Sequence, residues 1–195
     1  MEPTITFVST IRGVEQEGAR AGAWLPMALL LPLLWWTLVK IPGPPPWCFL
    51  DYVNLAFHEA GHLFFGFLGQ TIRVLGGTIM QLLVPGTLIA YFLLKQRQPL
   101  GAAFCLWWLG ESLSYVATYM SDARDLALPL VGGGEHDWTW LFYEFGLLTE
   151  PAVNAVWKTT HALSLLIMLA GLAWVALLLL PEDLRSRFAG SRLAR

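Results

Sequence analysis

Val53–Leu68 is an almost wholly apolar run, and it contains His58-Glu59-Ala60-Gly61-His62. A stretch apolar enough to lie in lipid therefore carries two imidazoles and a carboxylate. Such groups are costly there and persist only with a partner or a function. On a helix, positions i and i+4 share a face, so both imidazoles reach one metal ion. The H-E-x-x-H spacing then makes Glu59 the general base for a water that the metal activates. Asn54, His58 and His62 follow i, i+4, i+8 and share that face, with Phe57, Leu63, Phe64, Phe65 and Phe67 as an apolar surround.

The rest of the chain fits the same setting. Of its 195 residues, 56% are hydrophobic and 13% charged, with mean hydropathy +0.56. The apolar residues gather in long runs, which predicts an all-α integral membrane protein with about five spans. These are expected near 21–39, 49–68, 78–94, 100–120 and 162–180, within a single domain covering residues 1–195. Ile41–Pro46 reads as a stiff proline-rich connector, with Trp47 anchoring the next entry. Gln70–Gly77 reads as a short connector of strand-like composition. Pro85-Gly86 predicts a kink or break in the third span. Ser121–Asn154 is the one long polar connector, and its length and aromatic content point to function rather than disorder.

Other classes are excluded. A net charge of −2 gives no footprint for nucleic acid. Cys48 and Cys105 form no C-x-x-C pair and read as small apolar fillers. The acids Glu2, Glu15 and Glu17 argue against a cleavable signal peptide, and the run that follows is long enough to span. Five spans place the termini on opposite sides. Seven Lys and Arg on the C-terminal side against five on the other favour a cytoplasmic C-terminus.

Catalytic zinc takes three protein ligands, so one more is needed. At about 1.5 Å per residue, His62 lies roughly 9 Å and Glu59 roughly 13 Å inside the end of the second span. The same arithmetic puts Tyr115 roughly 9 Å and Glu111 roughly 15 Å inside the fourth span, from the same side. Glu111, Tyr115, Tyr119 and Asp122 share one helical face. His136, in a glycine-bordered loop, ranks first as third ligand because imidazole suits zinc. Asp122 is the alternative, with an ion pair to Arg124 as its ordinary role. Glu111 follows, with an outer-shell or proton-handling role expected, and then His161. Asp137 either orients His136 or contributes an oxygen itself. Tyr115 and Tyr119 are candidate donors to an oxyanion, with plain aromatic packing as the alternative.

The motif and the glycine-punctuated stretch after it resemble the site-2 protease family of intramembrane zinc metalloproteases. The matching residues are His58, Glu59, Gly61 and His62, followed more loosely by Gly69-Gln70-Thr71-Ile72-Arg73-Val74. The resemblance covers about Tyr52–Gly77 and the multi-span plan. It implies that His58 and His62 bind zinc and that Glu59 activates the water. That family supplies its third ligand from an L-D-G sequence, which is absent here. The nearest echo, Leu128-Pro129-Leu130-Val131-Gly132-Gly133, lacks the acid.

The expectation is a multi-pass, membrane-embedded zinc metalloendopeptidase acting on membrane or membrane-adjacent peptides. Its partners would be the lipid bilayer and a peptide substrate. The alternative is a non-hydrolytic metal protein, a transporter or sensor, because intramembrane His and Glu also line ion paths.

Overall fold

A computed structural model of the chain describes residues 24–43, 48–130, 135–181 and 184. Among them there is no strand; the chain is helical. The helices are α1 (Trp24–Lys40), α2 (Phe49–Phe65), α3 (Gln70–Tyr91), α4 (Pro99–Ser121), α5 (Asp137–Glu144) and α6 (Glu150–Leu178). A 3₁₀ turn, Gly66–Leu68, extends α2, and a π turn, Phe92–Gln96, extends α3.

Helix α4 is the axis of the assembly. It is the most deeply buried element, and α6 lies closest against it. Glycine makes that approach possible. A Cβ on Gly110 would stand 2.6 Å from the Met168 backbone nitrogen, and one on Gly171 would stand 2.6 Å from that of Trp107. Two small residues thus let the backbones touch, as membrane helices commonly do. Around the contact, Trp107, Trp108, Met168, Leu172, Val175 and Leu33 form the main core. A smaller core of Val116, Met120, Ala123, Phe142 and Val153 seats α5 and the start of α6. Helix α1 is tied to the axis by a buried bond from Trp107 Nε1 to Thr37 Oγ1, 2.9 Å.

Helices α2 and α3 form an antiparallel hairpin. Gly69, at φ 96°, makes the reversal, a conformation that side-chain-bearing residues rarely adopt. A Cβ on Gly61 would collide with the Gly76 carbonyl, and one on Gly76 would sit 2.7 Å from the Gly61 carbonyl oxygen. The glycine of H-E-A-G-H therefore serves the hairpin: it brings α3 against the histidine face.

Three expectations change here. Gln70–Gly77 is not a strand-like connector but the first turns of α3, so that helix starts eight residues before the expected Thr78. Its glycines are packing notches rather than chain breaks. The helix also continues through Pro85-Gly86 unbroken. The last helix starts at Glu150, twelve residues before the expected 162, with Pro151 in its first turn, where its missing N–H costs nothing. The polar connector is accordingly shorter and carries α5. The first two expected spans agree in place with α1 and α2, and the fourth with α4. The expectations for the N-terminal tail, Pro44–Trp47, Gly132–Gly134 and the C-terminal arginines fall outside the described residues.

Two helical stretches, Gln70–Gln96 and Glu150–Leu178, are long and apolar enough to cross a membrane. Leu25–Lys40 is apolar but shorter.

A candidate metal centre at the end of α2

The inward face of α2 carries Asn54, His58 and His62, one turn apart. Asn54 and His58 are buried, and His62 is half-buried. From the far side, the first residue of α5 arrives. Asp137 Oδ2 lies 2.8 Å from His58 Nε2 and 3.2 Å from His62 Nε2. The donor atoms of these three side chains all lie within 4.8 Å of one another.

The outer hydrogen bonds decide what the rings present. His58 Nδ1 is 2.9 Å from Gln81 Oε1, and His62 Nδ1 is 2.8 Å from the Arg73 carbonyl oxygen. Gln81 is itself oriented, because its Nε2 donates to the Ser112 carbonyl at 3.2 Å. Both acceptors are oxygens that only accept, so each imidazole carries its hydrogen on Nδ1. Each Nε2 is left with a lone pair facing a carboxylate. Lone pair against anion is repulsive unless a cation lies between them: a proton on each ring, or one metal ion shared by all three. Histidines that bind metals are oriented in this way, through the nitrogen that does not ligate. Two imidazoles and one carboxylate are also a donor set that catalytic zinc uses, with bonds of about 2.0–2.2 Å. The residues present therefore fit the zinc expected from the motif.

Asp137 comes from the connector, and its neighbours hold it. Its backbone N–H donates to the Tyr119 hydroxyl at 3.2 Å. Burial works to raise its carboxyl pKa, but the facing imidazoles of His58 and His62 outweigh burial and hold it below the ordinary value. His136, placed first from sequence as third ligand, is not brought to the two imidazoles. It is the N-cap of α5, its Nδ1 accepting from the Thr139 N–H at 3.2 Å. Its Nε2 faces Asp122 Oδ2 at 3.5 Å, and its ring lies against Tyr119. Burial pushes its pKa below the ordinary value, against the pull of Asp122 and Asp137.

Asp122, the alternative ligand, closes the end of α4 instead. Its two carboxylate oxygens accept from the Ala127 and Leu128 N–H groups at 2.9 and 3.0 Å. Arg124 does not pair with it; the guanidinium lies 3.8 Å from Glu150. His161, on α6, lies against the backbone of Lys40 and Ile41.

Glu111 sits one helical turn below the centre, level with Asn54. Its carboxylate lies 3.0 Å from Lys40 Nζ and accepts from Asn54 Nδ2 at 2.8 Å. Trp108 Nε1 completes the amide by donating to Asn54 Oδ1 at 2.9 Å. Asp51 joins the cluster, 3.7 Å from the same ammonium. Cys48, Asp51 and Glu111 also stand close enough to form a donor group, but Lys40 already provides their cation.

One cavity of about 580 Å³ opens beside the candidate centre. Its lining includes His58, Glu59, His62, Asp137, Tyr115 and Tyr119, and it reaches Lys40 and Asp51. Glu59 is exposed into this space and stands beside the first imidazole in the chain. Gly77 provides the room for that imidazole: a Cβ there would lie 2.6 Å from His58 Nε2.

Gln81 and Lys40 stand among these groups although the motif does not point to them. Both had a signal. Each is a lone polar group bordering or inside an apolar run, where a partner is required. In comparisons with protein-family models, curated proteins and solved structures, the chain matches none.

Proposed function

We propose that the protein is a multi-pass membrane zinc endopeptidase that hydrolyses peptide bonds in membrane or membrane-adjacent substrates. The observation that carries this reading is the convergence of His58 Nε2, His62 Nε2 and Asp137 Oδ2, with both Nδ1 hydrogens engaged outward. Its ligands are then His58, His62 and Asp137, with Glu59 as general base.

Zinc bound there supplies Lewis acidity, acidifying water and polarising a carbonyl. The chain's own residues do the rest. Glu59 accepts a proton from the water as its oxygen bonds to the carbonyl carbon. Glu59 then hands that proton to the amide nitrogen, so that the C–N bond breaks to an acid and an amine. Tyr119 accepts from the Asp137 N–H and keeps its own hydroxyl hydrogen to give to the carbonyl oxygen as charge develops there. Gln81 and the Arg73 carbonyl hold the two rings in the ligating tautomer.

The membrane setting is supported by burial. Only 17% and 28% of the apolar windows in Gln70–Gln96 and Glu150–Leu178 are buried, unlike the core helices of a soluble protein. Leu31, Trp35, Leu63 and Phe67 are each more than two-thirds exposed, a surface that suits lipid. The basic residues favour a cytoplasmic C-terminus.

A carrier or sensor is the weaker reading. Transport needs ligands stepped along the bilayer, whereas the two carboxylates of the second donor group already share the Lys40 ammonium. The deciding experiment is Glu59→Gln in purified protein. Zinc content is expected to persist while peptide hydrolysis is lost; undiminished cleavage would sink the mechanism.

A further inference from the structure

Two cationic side chains line the cavity, Lys40 and Arg73. Lys40 is buried and engaged by two carboxylates. Arg73 is exposed, and its side chain meets no carboxylate among the described residues; its partner is a neutral amide. Nε and Nη2 both donate to Gln70 Oε1, at 3.1 and 2.8 Å.

That contact matters for what remains. A guanidinium has five N–H donors in a rigid plane and binds a carboxylate through two parallel bonds along one edge. Gln70 occupies the Nε–Nη2 edge. The Nη1–Nη2 edge is left with its donors unspent, on a side chain already held in one orientation. The ordering cost that weakens exposed ion pairs is thereby partly met in advance. Position adds to this, because the backbone carbonyl of the same residue accepts from His62 Nδ1 at 2.8 Å. Elsewhere along the lining, Glu59 and Glu135 disfavour an anionic substrate group beside them.

We propose that the Nη1–Nη2 edge of Arg73 binds a substrate carboxylate at the cavity mouth, so that the site selects peptides with an acidic side chain or a free C-terminus near the bond to be cut. This deepens the peptidase reading and rests on it.

The test is a binding measurement, so it does not depend on turnover. Full-length Glu59→Gln protein, loaded with zinc in lipid nanodiscs, is titrated with short labelled apolar peptides. The peptides differ in one position, Glu or Gln, scanned along the sequence, each with a free or an amidated C-terminus. At one position the carboxylate is expected to tighten Kd about tenfold. Dependence on Glu identifies a side chain, and dependence on the free terminus identifies the chain end. Arg73→Gln is expected to abolish the preference, and Arg73→Lys to retain part of it. Neither variant removes the backbone carbonyl that holds His62. Should Arg73→Gln fail to fold, Gln70→Leu, which frees the guanidinium, is expected to weaken the preference.

Equal Kd for acidic and neutral peptides overturns the proposal, as does a preference that survives Arg73→Gln. A clear carboxylate preference in a protein whose Glu59-bearing form cuts nothing would sink the peptidase reading alone.

Discussion

Asp137 Oδ2 stands 2.8 Å from His58 Nε2, a contact between residues 79 positions apart that pins the start of α5 to the middle of α2. Asp137→Ala should therefore lose zinc, by more than the roughly 10–100-fold that removing an outer partner costs. His136→Ala should retain it, because that imidazole faces Asp122 and caps α5. Metal content of the two purified variants beside wild type separates them; retained zinc in Asp137→Ala would overturn the ligand set.

With the proposed ligands, Gln81 would act on the metal through His58, whose Nδ1 it holds at 2.9 Å. Gln81→Leu removes the acceptor that fixes the ring and leaves Nδ1–H buried without a partner. Zinc affinity should fall about 10–100-fold, while Gln81→Glu, which keeps an oxygen in reach, should bind near wild type. Competition with a chelator of known affinity measures both.

Gly77 and Gly86 lie nine positions apart in α3 and should respond oppositely to alanine. At Gly77 the new Cβ would lie 2.6 Å from the His58 ring, with an expected destabilisation of about 1–3 kcal/mol and loss of zinc. At Gly86 nothing lies within 4 Å, and alanine should stabilise the helix by up to about 1 kcal/mol. Thermal unfolding in detergent reads the sign of each change.

Lys40 is the one cation for Glu111 and Asp51 among the described residues. Lys40→Met should cost about 3–5 kcal/mol, because two buried carboxylates lose their partner. Adding Glu111→Gln should recover part of the loss. Denaturant titration of the single and double variants measures the coupling, and a fully additive result would show that the ammonium and Glu111 act separately.

What the sequence made legible was local. The i, i+4, i+8 pattern of Asn54, His58 and His62 follows from helix geometry, and the structure presents those residues on one inward face. The depth comparison placed Glu111 and Tyr115 near the motif. Tyr115 does line the cavity, whereas Glu111 pairs a turn lower, with Asn54 and Lys40. What stayed hidden depends on chain paths. His136 and Asp137 are neighbours in one loop, and only the direction in which α5 begins determines which one meets His58. The strand-like composition of Thr71–Leu75 was outweighed by packing, since Gly76 and Gly77 let a helix lie against α2.

The residue that completes the candidate centre opens a short helix in the connector, whereas the two imidazoles sit on the α2–α3 hairpin. Metal affinity and connector docking are then two readings of one equilibrium. Anything that favours the seated position of α5 would tighten a metal held by the proposed ligands, and that metal would return the same free energy by holding α5 in place. With zinc bound as proposed, distant contacts such as Thr139 Oγ1 donating to the Ala123 carbonyl and Phe142 in the smaller core would become determinants of metal occupancy.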